Sequence, residues 1–61
     1  MSKSAIKDSL GRVLYYLETK SDRVNVLDKL GIIVGYLKGG NTYNIHGSLV
    51  AKGEAPALLV K

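Results

Sequence analysis

Apolar and polar residues alternate along short stretches of the chain, and these stretches are separated by glycine and other turn-forming residues. Alternation with a period of two is typical of half-buried β-strands, whereas glycines and β-branched residues disfavour helices. The pattern predicts strands at residues 4–7, 12–18, 23–27, 32–38, 42–45 and 48–52. Because every connection is short enough to be a hairpin, we predict an all-β antiparallel meander of about five or six short strands.

One four-residue turn pattern occurs three times, each time before a β-prone run. The three copies are Asp8-Ser9-Leu10-Gly11, Asp28-Lys29-Leu30-Gly31 and Asn44-Ile45-His46-Gly47. A type I turn favours Asp or Asn at its first position, and a following Gly with positive φ closes a hairpin with a bulge. We therefore predict a degenerate series of β-hairpins in a single small domain, residues 1–61, whose structural turn residues are Asp8, Gly11, Asp28, Gly31, Asn44 and Gly47.

Residues 28–60, with a fainter copy at residues 8–17, resemble a group of short bacterial and phage proteins of uncharacterised function. Those proteins carry a repeated D-x-x-G turn, then apolar residues, then G-Y or A-K, and they close with a glycine-containing turn and an aliphatic tail. The resemblance implies a β-repeat fold and no particular mechanism.

Apolar residues are predicted on both faces of the sheet. Alternation assigns one face to Val13, Tyr15, Leu17, Ile33, Leu37, Leu49 and Ala51, and the other to Leu14, Tyr16, Val34, Tyr36 and Val50. A single layer cannot hide two apolar faces from water. Closure into a barrel, or packing of sheets in an oligomer, is therefore expected to complete the fold.

The last eight residues, 54–61, break the strand pattern. Pro56 suits the first turn of a helix or the edge of a sheet. The following Leu58, Leu59 and Val60 are too apolar to remain in water, so we predict a tail that docks on the domain or on a second copy.

Size and composition also favour self-association. A chain of 61 residues without cysteine is near the lower limit for folding alone, yet 46% of its residues are apolar. No apolar stretch has the length of a signal peptide core or a membrane span. We therefore expect a cytoplasmic homo-oligomer with no membrane partner.

The chain is basic, with nine Lys and Arg against five Asp and Glu and a net charge of +4, but the cations never form a run. Four tyrosines alternate with basic residues, which is the composition of a stacking platform for single-stranded nucleic acid. The candidate interaction surface consists of Tyr16, Tyr36, Arg12 and Lys38. Tyrosine is also a favoured strand residue, so nucleic acid is not the favoured partner.

No residues are predicted to be catalytic, to bind a cofactor or to bind a metal. His46 is the one histidine, and it occupies a turn position where the other copies have leucine. The segment Gly39-Gly40-Asn41-Thr42 lacks the Gly-Lys-Ser or Gly-Lys-Thr of a phosphate-binding loop. The sequence thus favours a non-enzymatic, self-associating interaction or structural module, and the alternative is a small basic β-barrel that binds single-stranded nucleic acid.

Overall fold

The computed structural model describes residues 2–60, which form one six-stranded antiparallel sheet. The strands lie side by side in chain order: β1 (Ser2–Lys7), β2 (Val13–Thr19), β3 (Val24–Asp28), β4 (Ile33–Lys38), β5 (Asn41–Asn44) and β6 (Leu49–Lys52). A 3₁₀ helix at Pro56–Leu59 follows. The predicted all-β meander is confirmed, and each strand begins and ends within two residues of its predicted bounds. Met1 and Lys61, at the ends of the predicted domain and tail, lie outside the described residues.

The sheet is open. Within residues 2–60, β1 and β6 pair only with their chain neighbours, β2 and β5, so the single chain does not close into a barrel. The three repeated turns all lie at one end of the strands, which we call the turn end. The loops at residues 20–23 and 39–40 lie at the opposite end, which we call the loop end.

The three hairpins formed by the repeated turns, β1–β2, β3–β4 and β5–β6, each have a bulge on their second strand. The extra residues are Leu14, Val34 and Val50, each three positions after its turn glycine. A bulge interrupts the alternation of side chains between the two faces, because two residues on one strand oppose one residue on its partner. The repeat therefore includes a bulge as well as a turn.

These bulges overturn part of the predicted face assignment. Leu17, Leu37 and Ala51 share a face as predicted. Leu17 pairs with Val26, and Leu37 and Ala51 both pair with Thr42. Val26 in turn pairs with Gly35, which is two positions before Leu37 and therefore on the same face. The prediction that Val13, Ile33 and Leu49 also lie on that face is wrong. These three residues lie between the turn and the bulge of each hairpin. They pair with Lys7, Leu27 and Tyr43, respectively, which belong to the opposite face.

The C-terminal segment packs against β4 on one face of the sheet, which we call the tail face. Val26 and Thr42 are completely buried there. The Thr42 hydroxyl donates to the Gly53 carbonyl at 2.7 Å and accepts from the Ala55 N–H at 2.8 Å, so it positions the chain as it leaves β6. A Cβ on Gly35 would collide with the Tyr43 carbonyl oxygen and lie 2.6 Å from Leu59 Cδ1. Gly35 therefore leaves the space into which Leu59 packs.

The opposite face, which we call the tyrosine face, carries Tyr16, Tyr36 and Tyr43. Tyr16 pairs with Leu27, and Tyr36 pairs with both Asn25 and Tyr43. Leu27 and Asn25 are buried between these half-buried tyrosines. β3 is thus buried on both sides of the sheet, by Val26 on the tail face and by Asn25 and Leu27 on the tyrosine face.

Candidate functional site

The three repeated turns have the same hydrogen bonds. In the first, the Asp8 Oδ1 accepts from the backbone N–H groups of Leu10 at 2.9 Å and Arg12 at 3.0 Å. Asp28 and Asn44 accept at the same distances from the residues two and four positions after them. The glycines that close these turns, at positions 11, 31 and 47, have φ of 81°, 86° and 85°. Each of these glycines also donates its N–H to the carbonyl of the first turn residue, at 3.0–3.1 Å. All six predicted turn residues thus lie in four-residue turns closed by a glycine of positive φ.

The first turn also contains an ion pair between the side chains of Asp8 and Arg12. The Nε of Arg12 lies 2.9 Å from Asp8 Oδ2, and the Arg12 side chain is 74% exposed. The pKa of the Asp8 carboxyl is lowered, mainly because the Arg12 backbone N–H donates to it. Desolvation opposes this shift, and donation from the Leu10 N–H and the Arg12 guanidinium adds to it.

Exposed apolar side chains gather at the turn end. In the turns themselves, Leu10 is 75% exposed, Leu30 77% and Ile45 60%. Others follow within the first three residues after each turn glycine, on the strands that leave the turns. We call this surface the apolar band, and it consists of Leu10, Leu14, Leu30, Ile32, Ile33, Ile45, Leu49 and Val50.

The tyrosine face combines aromatic rings with cations. The Tyr36 and Tyr43 rings stack with their centroids 5.2 Å apart and an interplanar angle of 19°. The Arg23 guanidinium carbon lies 4.9 Å from the centroid of Tyr36, and the Lys3 Nζ lies 4.8 Å from that of Tyr16. Both distances are within the range of a cation–π interaction.

The structure brings together some of the residues of the predicted interaction surface and separates others. Tyr16 and Tyr36 share a face, on strands that flank β3. Arg12 lies at the turn end, however, whereas Lys38 ends β4 at the loop end. Sequence reasoning missed Lys3, which contacts Tyr16 from the neighbouring strand. Only the strand pairing reveals this contact, because the two residues lie far apart along the chain.

Residues 2–60 contain neither a metal-binding cluster nor a membrane-spanning helix. No three His, Cys, Asp or Glu side chains lie close enough together to hold a metal ion. None of the helical segments in this part of the chain has the length and apolar character needed to cross a membrane.

A comparison of the chain with protein-family models, curated proteins and solved structures finds no match. Function is therefore inferred from the two surfaces of this chain: the apolar band at the turn end, and the cations and tyrosines of the tyrosine face.

Proposed function

We propose that this protein is a non-enzymatic interaction module that associates with a second copy of itself through the apolar band. One observation supports this proposal. Of the nine exposed large apolar side chains in residues 2–60, all but Leu58 lie at the turn end. Contiguous exposed apolar surface is characteristic of interaction sites, and its burial stabilises a complex by roughly 25 cal/mol per Å².

The small core favours a second copy as the partner. Val26, Leu27 and Leu37 are the buried apolar residues in the part of the chain that is described. A domain of this size is marginally stable on its own. Contact between two apolar bands removes both from water in a single interface, and a two-fold dimer uses the same patch on both subunits.

The open edges of the sheet are less suitable for self-association. The β1 edge carries Lys3 and Lys7, and the β6 edge carries Lys52. Lysines on edge strands oppose pairing with another strand, because each added copy brings like charges together. Association through the turn end leaves the loop-end part of both edges, with Lys3 and Lys52, in solvent.

Exchanges between the repeats provide a test that preserves the turns. Leu30 occupies the position where the third turn has His46, and Ile45 occupies the position where the second has Lys29. Leu30→His and Ile45→Lys should therefore fold, and each should weaken self-association about tenfold, or ~1.4 kcal/mol, as measured by sedimentation equilibrium. Lys29→Ile enlarges the band and should strengthen association.

Ser21→Lys is the matched control, because it adds the same charge as Ile45→Lys at an exposed position of the loop end. Its dissociation constant should equal that of the unmodified protein. If Ser21→Lys and Ile45→Lys have equal effects, or if neither exchange in the turns alters association, then the apolar band is not the interface.

A further inference from the structure

The fold collects on one face cations that are dispersed in the sequence. Within the described strands, the lysines are Lys3, Lys7, Lys38 and Lys52. Lys38 and Lys52 both pair with Asn41, and Lys3 pairs with Glu18, all on the tyrosine face. Lys7 falls on the same face, one position after Ile6, which pairs with Tyr15 on the tail face. The strand positions of the tail face carry no Lys or Arg in residues 2–60.

Three of these lysines lie near the loop end of the tyrosine face. Lys38 and Lys52 end β4 and β6, and Lys3 is near the start of β1. Arg23 precedes β3 at the same end and contacts the Tyr36 ring. The cations therefore extend across the width of the sheet at the end opposite the apolar band.

Carboxylates offset part of this charge. Glu18 is the acidic strand residue on this face, and its Oε1 lies 3.6 Å from Lys20 Nζ. Asp22 and Glu54 lie in connections at the loop end. The cations at this end still outnumber the carboxylates, which suits a polyanion bound reversibly at several points.

The aromatic rings lie among these cations. Tyr36 and Tyr43 form a stacked pair on the adjacent strands β4 and β5, and Tyr16 lies two strands away from Tyr36. With strands ~4.8 Å apart, the three rings span about 14 Å across the sheet. Tyrosines on a sheet beside cations can stack on unpaired bases while the cations neutralise phosphates.

We propose that the tyrosine face binds single-stranded nucleic acid, with Tyr36 and Tyr43 contacting bases and with Lys38, Lys52 and Arg23, at the loop end of the same face, contacting phosphates. Charge complementarity selects a polyanion. An anionic membrane surface is a weaker fit, because membrane-binding surfaces place long aliphatic side chains among their cations. Here the exposed aliphatic side chains are concentrated at the other end of the strands.

Fluorescence anisotropy with a labelled ten-nucleotide thymidine strand tests this inference. Lys38→Glu should weaken binding at least tenfold. Lys29→Glu makes the same charge change at the turn end and should weaken binding less than threefold.

Salt dependence and the loss of a tyrosine provide two further tests. With three or four phosphates neutralised, affinity should fall roughly 20- to 50-fold between 50 and 200 mM salt. Tyr43→Leu should weaken binding about tenfold or more, whereas Tyr15→Leu on the tail face should not, with folding verified by circular dichroism.

Three outcomes would overturn the inference. The first is the absence of binding by the intact protein at 50 mM salt. The second is an equal loss of affinity in Lys38→Glu and Lys29→Glu, which would indicate attraction by net charge alone. The third is equally tight binding to phosphatidylserine vesicles with the same dependence on Lys38, which would assign the face to a membrane surface.

Discussion

Asp8, Asp28 and Asn44 each accept two backbone hydrogen bonds from the residues that follow them, and this arrangement determines where the chain reverses. A side-chain oxygen at this position satisfies N–H groups that the turn would otherwise leave without partners. Aspartate and asparagine serve equally, because both present an oxygen at the same distance from the backbone. The residue type at the first turn position is therefore explained by local hydrogen bonding.

Replacement of the turn glycines tests the local geometry. Gly31 and Gly47 have φ of 86° and 85°, which valine adopts only with strain. Gly31→Val and Gly47→Val should each lower the free energy of unfolding by ~1 kcal/mol or more, measured by urea denaturation. Lys29→Ala, in the same turn as Gly31, should have almost no effect. Equal and negligible changes in all three variants would contradict this account of the turns.

The Asp8 carboxyl gives the first turn a dependence on pH. Its pKa is lowered in the folded protein, so its stabilising contribution is present above the usual value of 3.8 and is lost as the pH falls through the lowered pKa. Asp8→Asn keeps an oxygen acceptor but cannot titrate. Its free energy of unfolding should therefore fall less steeply than that of the unmodified protein below about pH 4.

Asp22→Asn controls for net charge, because it removes the same charge from the loop at the opposite end of the sheet. NMR titration of the Asp8 carboxyl carbon measures its pKa directly. A value at or above 3.8 would show that these hydrogen bonds do not favour the charged form.

At the scale of secondary structure, the repeating element is a hairpin with a turn and a bulge. The turns could be predicted from sequence, because Asp or Asn and Gly at fixed spacing are required by the backbone conformation. The bulges at Leu14, Val34 and Val50 could not be predicted. An extra apolar residue among other apolar residues leaves no compositional signal, and without it strict alternation assigned Ile33 and Leu49 to the wrong face.

The C-terminal segment is the other element whose packing can be tested. Leu59 packs into the space beside Gly35, whereas its neighbour Leu58 is 46% exposed. Leu59→Ala should lower the free energy of unfolding by ~1–2 kcal/mol and Leu58→Ala by less than about 0.5. Gly35→Ala should lower it by ~1–3 kcal/mol, because the added Cβ collides with backbone as well as with Leu59. Equal effects of the two leucine substitutions would contradict this packing.

At the scale of the whole molecule, the open sheet separates two kinds of surface. Exposed aliphatic side chains gather at the turn end, and Lys3, Arg23, Lys38 and Lys52 lie at the loop end of the tyrosine face. Tyr16, Tyr36 and Lys38 of this surface could be identified from the sequence, but Lys3 and Arg23 could not. Lys3 and Arg23 are placed beside tyrosines by strand pairing, whereas Arg12, which is close to Tyr16 in sequence, is held by Asp8 at the turn end.

The mass of the folded protein in solution tests the proposed self-association most directly. Multi-angle light scattering at micromolar concentration, on a sample shown to unfold cooperatively, should give at least twice the chain mass of 6.6 kDa. Dilution should lower the apparent mass and the thermal midpoint together, because association stabilises the folded chain by mass action. A mass near 6.6 kDa, unchanged with concentration in a cooperatively folded sample, would contradict association through the apolar band.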